Sequence, residues 1–104
     1  MNKYRNRKIV VDNIRYRQLK LLQRAKQISN LRLQVPFLLQ EGFKKNGTTH
    51  RKIEYIADFV YEENGQTVVE DAKGMKTETF KIKQKLFEYK YPELNLKIIT
   101  REEI

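Results

Sequence analysis

Apolar residues recur at spacings of three and four between Arg15 and Ile28, at Leu21, Leu22, Ala25 and Ile28. That period predicts an amphipathic helix over 15–28. Its remaining positions include Arg15, Arg17, Lys20, Arg24 and Lys26, so its exposed side is cationic. Residues 1–13 read as a basic N-terminal arm with one short apolar patch, Ile9-Val10-Val11. Over Leu31–Leu39 the period drops to two, with Leu31, Leu33, Val35 and Phe37 on one side and Arg32 and Gln34 on the other, which predicts a strand. Pro36 lacks a ladder donor and puts that strand at an edge or near its end. Glu41–His50 holds Gly42, Asn46 and Gly47 without periodicity and reads as a loop.

A second strand is predicted over Lys52–Tyr61, rich in Ile, Tyr, Phe and Val. Asn64-Gly65 is a strong signal for a tight hairpin, making Gln66–Ala72 the antiparallel partner. Thr77 followed by Glu78 marks a helix start. This helix runs to about Tyr89, with Phe80, Leu86 and Phe87 as its core face, and Pro92 closes it. Leu94–Ile99 is a last short strand. The order is α-β-β-β-α-β, an α+β fold in one domain spanning 1–104.

Charge changes the picture. Residues 1–52 carry 14 Lys/Arg against 2 acids, whereas residues 53–104 carry 8 against 11. The first half suits a polyanion, with Arg15, Arg17, Lys20, Arg24 and Lys26 as candidate nucleic-acid contacts. The second half brings carboxylates into that field, where a pure nucleic-acid clamp would gain only repulsion. The chain has no cysteine, which excludes disulfides and thiolate metal sites. It has no apolar run long enough to span a bilayer and no signal-peptide pattern, so the expectation is a cytoplasmic protein with no membrane partner.

The hairpin strands carry Asp58, Glu70, Asp71 and Lys73. Alternation puts Asp71 and Lys73 on one side and Glu70 on the other. Pairing about Asn64-Gly65 sets position 58 opposite roughly position 71. Neighbouring carboxylates repel unless a cation lies between them, and Mg²⁺ suits such oxygen ligands. A cross-strand Asp–Lys ion pair on a solvated face accounts for the spacing equally well. His50, the only histidine, sits in the predicted loop and receives no role; Tyr55, Phe59, Phe80 and Phe87 read as core aromatics.

Asp58, then Asp71-Ala72-Lys73 after a hairpin, then a helix, resembles the PD-(D/E)XK nuclease superfamily. The element order matches its common restriction-endonuclease-like core, a central mixed sheet flanked by helices. Ile56-Ala57-Asp58-Phe59-Val60-Tyr61, Val69-Glu70-Asp71-Ala72-Lys73-Gly74 and Lys85-Leu86-Phe87 resemble more closely the small phage-encoded DUF1064 family of nuclease-like proteins. The resemblance implies Mg²⁺- (or Mn²⁺-) dependent cleavage of DNA phosphodiesters in a bacterial host. It gives Asp58 and Asp71 as metal ligands, the Ala72 carbonyl completing the shell, and Lys73 assisting the nucleophilic water. Glu70 ranks second as a catalytic acid. Gln84 on the following helix is a further candidate, or an ordinary exposed helix position.

The superfamily usually supplies another acid from its first helix, and residues 15–28 contain none. Relatives carry a segment of the type Phe-Asp-Ser-Lys-x-Glu between positions matching Ile14 and Arg15, and this chain lacks it. The first expectation is therefore a DNA endonuclease, with Holliday-junction-like branched substrates and a homodimer suggested by analogy to resolvases of related fold. The second is a catalytically weakened nuclease-fold DNA binder, and the third a basic interaction protein for an acidic partner.

Overall fold

A computed structural model describes residues 3–73, 76–100 and 103, with side chains described from Asp12 onward. Helix α1 (Lys3–Arg24) is followed by strand β1 (Ser29–Gln40), a small hairpin β2 (Phe43–Lys45) and β3 (Thr48–His50), and strands β4 (Ile53–Glu63) and β5 (Gln66–Ala72). Helix α2 (Glu78–Lys90) and strand β6 (Asn95–Ile99) complete the chain. The four long strands form one mixed sheet in the order β1-β4-β5-β6, antiparallel except for the parallel β5–β6 pair. The fold is α+β, with two helices about a mixed central sheet.

The helices cover opposite faces. Against α2, Tyr55, Ala57, Val60, Val69, Phe80 and Phe87 form one buried cluster. Against α1, Leu19, Ile28, Phe59 and Tyr61 form the other, with Tyr16, Leu22, Leu31 and Val68 packed on it. Phe87 is the hub of the first cluster, its ring 5.1 Å from Phe37, 5.4 Å from Tyr55 and 5.3 Å from Tyr91. Thr77 caps α2 by accepting from the Phe80 amide at 3.1 Å, the start expected from Thr77-Glu78.

The β4–β5 hairpin turns at Asn64 and Gly65 with φ of 53° and 77°, the left-handed pair that a two-residue turn of this type requires. β1 is an edge strand, which accommodates Pro36. The buried aromatics Tyr55, Phe59, Phe80 and Phe87 are core, as expected.

Several boundaries differ from the expectation. Residues 3–13 are helical rather than an arm, so α1 reaches back to Lys3; residues 1 and 2, and the Ile9-Val10-Val11 side chains, lie outside the described ones. The same helix ends at Arg24 rather than Ile28. Lys26 adopts φ 62°, the Lys26 amide donates to Gln23 O at 3.0 Å, and the Gln27 amide donates to Leu22 O at 2.9 Å. These paired bonds form the Schellman stop, which satisfies the last carbonyls and turns the chain back so that Ile28 is buried outside the helix.

The face meeting the sheet is centred on Leu19, with Arg15, Tyr16 and Leu22 around it, and this leaves Leu21 62% exposed. Leu86 is likewise displaced from the core, because Phe80 and Phe87 already fill the stripe of α2 that meets the sheet. Glu41–His50 is a hairpin rather than a loop: Asn46 and Gly47, at φ 51° and 77°, supply a second tight turn.

A left-handed lysine at the end of α1 carries the steric penalty that glycine avoids. Lys26→Gly is therefore expected to raise stability by about 1 kcal/mol, read from the urea midpoint with unchanged slope.

Candidate active site at the pleat reversal of β1 and β4

β4 changes faces at Asp58. Tyr55 and Ala57 pack toward α2, whereas Phe59 and Tyr61, of the same parity, pack toward α1. Alternation forbids this in a regular strand, so the pleat reverses between Ala57 and Phe59. β1 reverses with it. Val35 and Phe37 pack toward α2, Leu31 packs toward α1, and Gln34 between them takes φ 52°. The two strands keep register across the change, with Leu33↔Phe59 and Val35↔Ala57.

Asp58 is buried at this reversal, and its carboxylate accepts from a side chain and from the backbone. Gln34 Nε2 donates to Oδ1 at 3.3 Å, and the Ala72 amide donates to Oδ2 at 3.1 Å. The paired residues of β4 and β5 run from Glu63↔Gln66 to Phe59↔Glu70, so Asp58 and Asp71 are the residues next to the last pair.

Asp71 is buried and lies with Val69 on the α2 side of β5. Lys73 Nζ is 3.3 Å from Asp71 Oδ2 and sits 4.5 Å from the Phe80 ring centroid, so α2 supplies the surface on which the ammonium rests. The Lys73 amide donates to Ile99 O at 2.9 Å, which ties the end of β5 to β6. Asp58 is thus tied to the Ala72 backbone and Asp71 to Lys73. Burial pushes the Tyr55 phenol far above its usual range, and Asp71 and Asp58 push it further.

Glu70 points to the opposite face and belongs to a different structure. Its carboxylate is fully buried and accepts from Arg15 Nε at 2.6 Å, Arg15 Nη2 at 2.8 Å and Tyr61 Oη at 2.7 Å. The Arg15 guanidinium is pushed above its ordinary value, chiefly by its hydrogen bond to Glu70. The fork geometry of guanidinium and carboxylate makes this a latch between α1 and β5. Glu70 faces away from Asp71, as strand alternation leads one to expect, and its carboxylate is taken up by Arg15 and Tyr61. One expectation is corrected. Arg15 does not lie on the exposed cationic side, because Glu70 occupies its guanidinium.

Arg17, Lys20, Arg24 and Lys26 are exposed. Arg17, Lys20 and Arg24 are spaced by three and four residues along one side of α1, and Lys20 Nζ lies 5.6 Å from the Tyr16 ring centroid. Gln84 is half-buried, one turn from both Phe80 and Phe87, and is therefore on the sheet-facing stripe of α2 rather than on an exposed one.

A shallow cleft of about 270 Å³ opens beside Asp58, lined by Asp12, Asn13 and Tyr16 of α1 and by Leu33, Gln34 and Phe59. Asp12 is not among the sequence candidates, because the apolar period marks the helix only from Arg15. Its signal is nevertheless present: Asp12, Tyr16 and Leu19 are spaced as one helical stripe. Extended back to Lys3, the first helix does carry an acid to the neighbourhood of Asp58. Among the described residues, no group of three or more His, Cys, Asp or Glu is arranged to hold a metal ion.

Burial and the hydrogen bond to Glu70 also hold the Tyr61 phenol well above its usual range. Protonated Tyr55 and Tyr61 fit the fold and their phenolates do not, so stability is complete below the unfolded value of 10.0 and falls as pH rises above it. Alkaline titration followed by phenolate absorbance is expected to give fewer ionised tyrosines in the folded protein than in urea.

The family model for DUF1064, described as a protein of unknown function, matches residues 1–103. No curated protein matches the chain, and no solved structure does. Among the described residues no helix is long and apolar enough to cross a membrane.

Proposed function

The chain belongs to the DUF1064 family, and from that premise we propose that it is a Mg²⁺-dependent DNA endonuclease of the PD-(D/E)XK type. The observation that supports this reading is that the Asp58 carboxylate accepts from the Ala72 amide, between Asp71 and its ion-pair partner Lys73, in a protein whose first helix has an exposed cationic side. Asp58, Asp71 and the Ala72 carbonyl would hold the ion. When bound, Mg²⁺ supplies electrophilic stabilisation of a phosphodiester and lowers the pKa of a water ligand.

The chain's own groups do the rest. Gln34 and the Ala72 amide fix the orientation of the Asp58 carboxylate. Lys73, positioned by Asp71 and the Phe80 ring, donates to the attacking water or to the phosphate as charge grows on it. Arg17, Lys20, Arg24 and Lys26 hold the backbone of the substrate through charge rather than base identity.

A second reading, a nuclease-fold DNA binder with weakened catalysis, is favoured by the lack of a three-residue metal-ligating group among the described residues. One experiment separates the two. Plasmid, branched and single-stranded DNA are incubated with the protein in Mg²⁺, in Mn²⁺ and in EDTA. Metal-dependent nicking is the expected result. Intact DNA with salt-sensitive retention selects the binding protein, and no retention at any salt rejects both.

A further inference from the structure

The β2–β3 hairpin contributes nothing to the core. Every residue from Gln40 to Lys52 is exposed, and neither of its strands joins the main sheet. A lone two-stranded ribbon is only marginally stable, so this one needs specific support. Asn46-Gly47 supplies a tight turn, with φ of 51° and 77°. Phe43 pairs with His50, and their rings stack 4.7 Å apart at 19°. At its base, a Cβ added to Gly42 would lie 3.2 Å from His50 O and 3.3 Å from Lys52 N, so close backbone approach holds the ribbon where it leaves the sheet.

The surface so supported is cationic and aromatic. Lys44, Lys45, Arg51 and Lys52 stand in this stretch against Glu41 as its one acid. Register places Phe43, Lys45, Thr48 and His50 on one face and Lys44 and Thr49 on the other. Phe43 stays 45% exposed even with its stacked partner. Exposed aromatic rings beside lysines match the two chemistries of a nucleic acid with unpaired bases, a phosphate backbone and free π-faces.

We propose that the β2–β3 hairpin is a nucleic-acid contact separate from α1, in which Lys44 and Lys45 engage phosphates and the Phe43–His50 stack receives an unpaired base. This deepens the proposed function, resting on its nucleic-acid binding but not on its catalysis. It makes single-stranded or branched DNA the preferred substrate class over plain duplex.

The test is fluorescence anisotropy in EDTA with labelled single-stranded, duplex and four-way branched DNA. The full chain is compared with K44E/K45E and F43A, each checked for an unchanged thermal midpoint. K44E/K45E is expected to weaken binding to all three about tenfold or more. It should also flatten the salt dependence, by roughly 0.7 to 0.9 in slope for each phosphate that the variant no longer neutralises. F43A is expected to weaken single-stranded and branched DNA by about fivefold or more and to leave duplex unchanged. Parental affinity in both variants overturns the hairpin assignment while leaving DNA binding standing. An equal loss for all three DNAs in F43A overturns the base-stacking role. Failure of the parental protein to bind any of them overturns the nucleic-acid reading itself.

Discussion

Asp71→Ala is expected to abolish metal-dependent phosphodiester hydrolysis while DNA affinity stays equal or rises. Asp71 is buried on the strand next to Asp58, 3.3 Å from Lys73, so its loss removes a proposed metal ligand and the anion that positions the ammonium. Loss of a supporting carboxylate alone costs about 10- to 100-fold in metal sites, and loss of a ligand that also orients Lys73 should cost at least that. Binding moves the other way because a negative charge is taken from beside the phosphate path. Asp71→Asn, which keeps the side-chain volume, separates chemistry from packing, and a thermal melt reports whether either variant is folded. Cleavage at the parental rate in a folded Asp71→Asn protein would show that the assigned site is wrong. Lys73→Met should retain metal binding and reduce the rate by about 10²-fold, since it removes the donor without touching the carboxylates.

Arg15→Ala is expected to destabilise the fold by about 3–5 kcal/mol, the cost of breaking one side of a buried ion pair. Of the three hydrogen bonds from Arg15 and Tyr61 to its carboxylate, Glu70 would keep only the one from the Tyr61 hydroxyl. For a domain whose total stability is about 5–15 kcal/mol, that loss leaves a large unfolded fraction. Arg15→Lys should recover only part of it, because a point charge cannot replace the two-pronged contact. Urea unfolding of Arg15→Ala beside Arg17→Ala is the informative comparison. Arg17 is exposed and its removal should change stability by less than about 0.5 kcal/mol while weakening DNA binding. If instead Arg15→Ala lowered affinity with an unchanged midpoint, Arg15 would be a DNA contact and the latch would be of no consequence.

The two helices, the four strands of the main sheet, the Asn64-Gly65 hairpin and the Thr77 start of α2 were legible in the residues alone. Each depends on local chemistry: turn residues that tolerate positive φ, a cap hydroxyl, and a period of two. The DUF1064 family model matches residues 1–103. The Asn46-Gly47 turn of the small hairpin was legible too, but the short segments on either side hide their period, so the stretch reads as loop.

What only the tertiary structure decided is where regular patterns break. The Schellman stop at Lys26 ends a periodicity that continues on paper to Ile28, because a left-handed lysine carries no sequence mark. The start of α1 at Lys3 carries no mark in the sequence, since the polar, basic segment before Arg15 shows no apolar period. The pleat reversal at Gln34 and Asp58 is a joint property of two strands 24 positions apart in the chain, and it brings Asp58 to the Ala72 amide and Asp12 to the same cleft. The assignment of Arg15 to Glu70 rather than to solvent spans 55 positions and turns on burial. Local pattern determines which residues can form an element, whereas burial against distant partners determines which of its faces is inside and therefore which charges are available for chemistry.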